Sequence, residues 1–98
     1  MPFTHKTTKT PLGLFLAATC LTQTRFTEEW EVAFGVRLFQ ERVSEWSRLD
    51  GARPSPANRH LIEKLTTALS RRLARQGIQI KPVAVSDWDG LGRRKVAA

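Results

Sequence analysis

The punctuation of this chain limits its fold more than any other feature. The polar stretch Gln40-Glu41-Arg42-Val43-Ser44-Glu45-Trp46-Ser47-Arg48 runs directly into Leu49-Asp50-Gly51-Ala52-Arg53-Pro54-Ser55-Pro56. A helix there has to be short, stop abruptly, and be followed by another that restarts under a proline, where the missing N–H costs nothing.

Applied along the chain, the same reasoning predicts four helices. Thr10 as N-cap and Pro11 at the first helical position open one, with Leu12, Phe15, Leu16, Thr19 and Cys20 on a common face. Thr27 followed by Glu28 and Glu29 suits the positive end of a second helix, which would bury Trp30, Ala33 and Phe34 before Gly35 turns the chain. A third covers Leu38 to Arg48, with Phe39, Val43 and Trp46 inside and Gln40, Arg42, Ser44, Glu45 and Arg48 outside. The fourth runs from Pro56 to Arg75 on a stripe of Leu61, Ile62, Leu65, Ala68, Leu69 and Leu73, and Gly77 stops it. Beyond Gly77 the period changes. Ile78, Ile80 and Val83 or Val85 alternate with polar residues, which predicts a strand interrupted at Pro82, and Asp89-Gly90 marks a turn into Arg93-Arg94-Lys95.

Ninety-eight residues, 41% of them hydrophobic, allow one small domain: a basic arm over 1–10, a helical body over 11–76 and a strand with a basic tail over 77–98. The formal charge of +7 favours polyanionic partners, and it is unevenly spread. Residues 28–50 hold six acids against three arginines, whereas residues 51–98 hold ten bases against three acids. Cys20 has no intrachain partner, and neither His5 nor His60 has a companion at metal-ligand spacing, so no metal or other cofactor is expected. No paired carboxylates, nucleophile with a base, or phosphate-cradling glycine loop can be assembled, and an enzyme is not expected. The apolar run Leu12 to Ala18 ahead of Thr19-Cys20 has the outline of an export signal, but it is short and helical patterning follows it. It is read as the first helix of a cytoplasmic protein without a membrane span.

Leu12-Gly13 with Leu16, Thr27-Glu28-Glu29-Trp30 leading to Phe34-Gly35-Val36, Gln40 with Val43-Ser44 and Trp46, Gly51 with Arg53-Pro54-Ser55, and Leu61 with Leu65 and Leu69 together resemble the Cro and repressor-like helix-turn-helix family over residues 11–70. Between Gly35 and Gln40 the chain has about two residues more than the tight turn of that motif, so the second helix or the turn must adjust. The resemblance implies a mainly α, four- to five-helix, lambda-repressor-like domain with a short C-terminal β-strand or hairpin. It also implies sequence-specific binding of double-stranded DNA in transcriptional control, as a repressor, autoregulator or antitoxin, with the third helix in the major groove.

Carried over residue by residue, the resemblance makes Gln40, Glu41, Arg42, Ser44 and Glu45 the base-reading set. An amide can pair with adenine N6 and N7, and a carboxylate can accept from cytosine N4. Arg37, Arg48, Arg53, Ser55, Asn58 and Arg59 are the expected phosphate contacts. A bland alternative for Glu41 and Glu45 is charge balance with Arg37, Arg42 and Arg48 on a solvated face. Ile78, Ile80, Val83, Val85 and Trp88 would leave an apolar strand exposed on a monomer, which predicts a homodimer closed by that segment. The alternative function is a protein-binding module, such as an antitoxin bound to its toxin or a phage-encoded inhibitor, whose acidic second and third helices meet a basic protein.

Overall fold

The computed structural model of the chain describes residues 9–89 and 91, with the backbone of 96–97. Most of the expected basic arm, and the basic run Arg93-Arg94-Lys95, lie outside the described residues. The described chain is mainly helical: α1 (Pro11–Thr19), α2 (Gln23–Phe34), α3 (Gln40–Ser47) and α4 (Pro56–Ala74), followed by a 3₁₀ turn at Val85–Trp88. Two two-residue strands, β1 (Arg53–Pro54) and β2 (Val96–Ala97), pair in parallel, Arg53 opposite Val96 and Pro54 opposite Ala97. No helix among the described residues is long and apolar enough to cross a membrane.

α1 begins where Thr10 and Pro11 predict. The Thr10 hydroxyl accepts from Gly13 N–H at 3.2 Å and also donates to the Trp46 carbonyl, while Thr10 N–H donates to Ser47 O at 3.1 Å. One residue thus caps α1 and fastens it to the end of α3. The approach is close enough that a Cβ on Gly13 would run into the Ser47 carbonyl, which is why the second residue of a Leu-Gly-Leu run is glycine.

α2 starts earlier than its charge pattern suggests. Thr22 is the N-cap, its hydroxyl accepting from Arg25 N–H at 3.0 Å, and Thr27 lies inside the helix, buried, its hydroxyl donating to Thr24 O at 2.6 Å. Moving the start back to Gln23 changes the buried set: Phe26 and Trp30 face inward, Phe34 is half-buried and Ala33 is exposed. Gly35 closes α2 in the left-handed region at φ 68°. At the next junction Leu38 is buried and Phe39 points outward, the reverse of the expected inner face for Phe39. α4 ends within a residue of the expected bound and buries Ile62, Leu65 and Leu69, with Leu61 packed at the edge.

α1 and α2 both pack on α3, and the core is assembled from Leu12, Phe15 and Leu16 of α1, Phe26 and Trp30 of α2, Val43 and Trp46 of α3, and the inner stripe of α4. The Trp30 and Trp46 rings are 6.0 Å apart, and Phe34 meets Trp30 edge-on at 4.9 Å, a favoured aromatic geometry.

The C-terminal segment corrects the sequence expectation. Residues 78–84 form no strand, and Val83 and Trp88 are each only 3% exposed, within the chain's own core. Val83 N–H donates to the Thr66 hydroxyl at 3.0 Å, and that hydroxyl in turn donates to Ile62 O at 2.8 Å, so α4 holds the segment through one side chain. Ile80 and Val85 are half-buried, leaving only Ile78 of the proposed dimerisation set exposed. Their apolar surface is used within the chain because an extended segment leaving α4 can fold back over its inner stripe.

Candidate nucleic-acid interface

The N-terminal turn of α2 and the outer face of α3 border one solvent-open groove lined by Gln23, Gln40, Glu41, Ser44, Glu45 and Arg48. Two local rules place these side chains there. In α3, Val43 and Trp46 are anchored inward, which turns Gln40 and Ser44, four residues apart, along the opposite side, and Arg48 follows as the extended C-cap. In α2, the Thr22 cap puts Gln23 and Thr24 in the first turn, ahead of the buried Phe26. Across the groove the Thr24 hydroxyl donates to Gln40 Oε1 at 3.3 Å. That bond orients the amide at the start of α3, and the oxygen retains a second lone pair for another donor.

Arg42 lies on the other flank of α3, facing α4. It borders a cleft that also includes Val36, Arg37, Phe39, Asn58 and Leu61. Arg42 Nη1 is 3.9 Å from Glu45 Oε1, a half-exposed pair worth little in stability but sufficient to offset Glu45 locally. The Arg37 guanidinium stands 6.0 Å from the centre of the Phe39 ring. The five residues expected to read bases therefore divide: Gln40, Glu41, Ser44 and Glu45 line the α2 groove, while Arg42 serves the opposite cleft. With Glu41, Glu45 and Arg42 on α3 and Arg48 at its C-cap, the charges around this helix balance.

The expected phosphate contacts also divide. Arg37 and Arg48 are exposed on either side of α3. Asn58 and Arg59 are half-buried at the start of α4, where Arg59 Nε donates to Pro54 O at 3.0 Å. Ser55 is the N-cap of α4, its oxygen accepting from Asn58 N–H at 3.3 Å.

Arg53 is the clear correction. It is 3% exposed, and its terminal nitrogens donate to Gly51 O (3.0 Å), Leu49 O (2.9 Å), Arg48 O (3.3 Å) and Leu91 O (3.4 Å). The guanidinium is enclosed by the loop it organises, so a phosphate cannot reach it. Its contribution to the site is to fix the turn that delivers α4 beside α3.

Sequence reasoning missed Gln23 and Thr24, because it began α2 at Thr27. The signal was present: Thr22 followed by polar Gln23 and Thr24, with apolar Phe26 and Trp30 four residues apart. No protein-family model, curated protein or solved structure matches the chain, so the reading of this surface rests on its own geometry.

Proposed function

We propose that this chain is a sequence-specific DNA-binding regulator in which α2 and α3 act as a helix-turn-helix of the Cro and repressor-like type, with α3 lying in the major groove. The observation that carries the proposal is the polar pair Gln40 and Ser44, held on α3 by buried Val43 and Trp46 and braced at its leading end by Thr24, with Arg48 at the helix C-cap lining the same groove. An amide at the start of such a helix reads adenine through two hydrogen bonds, and a serine and an arginine further along reach base edges or backbone. The charge fits a division of labour. The near-neutral helix face supplies discrimination, and the overall charge of +7, with Arg37, Arg48 and Arg59 around α3, supplies attraction to phosphate.

Selection from a random duplex library followed by binding titrations in increasing salt tests this reading. The expected result is enrichment of a defined site whose affinity falls steeply with salt and exceeds that of random duplex. Failure to enrich any sequence would overturn it.

A second reading has its own observation. The outer face of α2 presents Glu28, Glu31 and the 86% exposed Val32, a surface suited to a basic protein partner. A stable complex with such a protein, together with indifference to DNA, would favour that role.

A further inference from the structure

Phe39 is 60% exposed, whereas among the other described aromatic residues Phe15, Phe26, Trp30, Trp46 and Trp88 are buried and Phe34 is half-buried. It occupies the N-cap of α3, where serine, threonine, asparagine or aspartate would satisfy a free backbone N–H, and it makes no side-chain cap bond. The chain therefore forgoes a cap and places an aromatic ring directly before Gln40. Val36, also exposed, borders the same cleft, and Arg37 and Arg42 flank it. The Arg37 guanidinium near the ring keeps positive charge beside this apolar edge.

We propose that Phe39 is an apolar base reader, packing against the 5-methyl group of a thymine next to the base pair met by Gln40. This rests on α3 lying in the major groove. Thymine presents a methyl group there and cytosine does not, so an apolar ring at the leading end of the helix discriminates between the two pyrimidines without a hydrogen bond. Flanking arginines suit an apolar contact bordered on both sides by phosphate, and they distinguish this edge from the acidic outer face of α2.

The test uses a duplex enriched from a random library by the full chain, with each thymine replaced singly by uracil, which deletes the methyl and preserves the pairing. The intact protein should lose about fourfold in affinity at one thymine beside the adenine whose recognition depends on Gln40, the worth of one buried methyl. Phe39→Ala should bind the parent duplex about fivefold more weakly and be insensitive to that replacement. Its affinity for random duplex should fall much less than its affinity for the parent duplex, and Phe39→Leu should retain part of the uracil response.

Uniform tolerance of uracil by the intact protein, or a preserved response in Phe39→Ala, overturns the proposal while leaving DNA binding intact. If sedimentation shows that the free chain self-associates through Phe39, and Phe39→Ala removes this without touching DNA affinity, the patch is a protein-docking surface and the proposal is wrong. An intact chain that enriches no duplex overturns the DNA reading itself, and the role of Phe39 with it.

Discussion

Arg53 shows how one buried side chain can organise the turn beside a candidate site. Its guanidinium draws together carbonyls of residues 48, 49 and 51, the turn between α3 and α4, and adds that of Leu91, beyond the 3₁₀ turn. Removing it leaves the buried Gly51 carbonyl and the part-buried Leu49 and Leu91 carbonyls without this donor, so Arg53→Ala should destabilise the fold by about 2–3 kcal/mol, measurable by urea unfolding. Arg53→Lys should recover little, since an ammonium cannot span the same carbonyls. An alanine variant of wild-type stability with a reduced salt slope in DNA binding would return Arg53 to the phosphate-contacting set. Thr24 works at the opposite surface. Thr24→Val removes the donor to Gln40 Oε1 but keeps the shape, at a net cost of about 0.5–1.5 kcal/mol in orienting the amide. Gln40→Ala should cost roughly 1–3 kcal/mol on an enriched site and little on random duplex. Titrations of both variants on both DNAs check the pair. Equal losses on specific and random duplex would mean that neither residue acts in base recognition.

At the scale of elements, helix starts marked by a capping residue followed by proline were legible, and starts marked by charge were not. Thr10-Pro11 and Ser55-Pro56 open α1 and α4 because proline tolerates only the first turn, which leaves a single phase for each helix. The opening of α2 was ambiguous: Thr27-Glu28-Glu29 imitates a cap and an acidic first turn, yet Thr22 is the cap and the two glutamates lie in the middle of the helix. Glu29 instead faces Arg72 of α4 at 3.3 Å and Arg25 at 3.6 Å. Thr22→Ala should therefore lower stability by about 1 kcal/mol, with Thr22→Asp close to wild type. Urea titration of the three proteins decides it, and an indifferent Thr22→Ala would remove the cap assignment. The site was partly legible for the same reason. Val43 and Trp46 fix the phase of α3 and hence the outward row from Gln40, but adjacent apolar residues Leu38 and Phe39 leave the turn ambiguous by one position. Which of the two enters the core depends on the geometry after Gly35, and no periodic pattern reports it.

For the whole molecule, the segment after α4 decides whether the helices make a complete domain. The sequence suggested a removable dimerisation strand, because alternating apolar residues look alike whether they pair with a twin or fold back on their own helix. Here Val83 and Trp88 complete the core over α4, and Thr66 receives the Val83 N–H. Burying a side chain of this kind is worth about 1.5–3 kcal/mol, and the hydrogen bond adds about 1 kcal/mol. Together these reach roughly 5 kcal/mol, the lower end of the total stability of a small domain. A chain ending at Gly77 should accordingly lose cooperative thermal unfolding, with weakened near-ultraviolet dichroism from Trp30 and Trp46 as packing loosens, even though much of its helical signal persists. Thr66→Val in the full chain provides a milder version, costing about 1–3 kcal/mol because it leaves the Val83 N–H buried without an acceptor. Calorimetry on the truncated chain and urea unfolding of Thr66→Val test the two parts separately. A truncated protein that melts as sharply as the intact one would show that α1 to α4 are self-sufficient. The apolar residues beyond Gly77 would then be free to serve another chain.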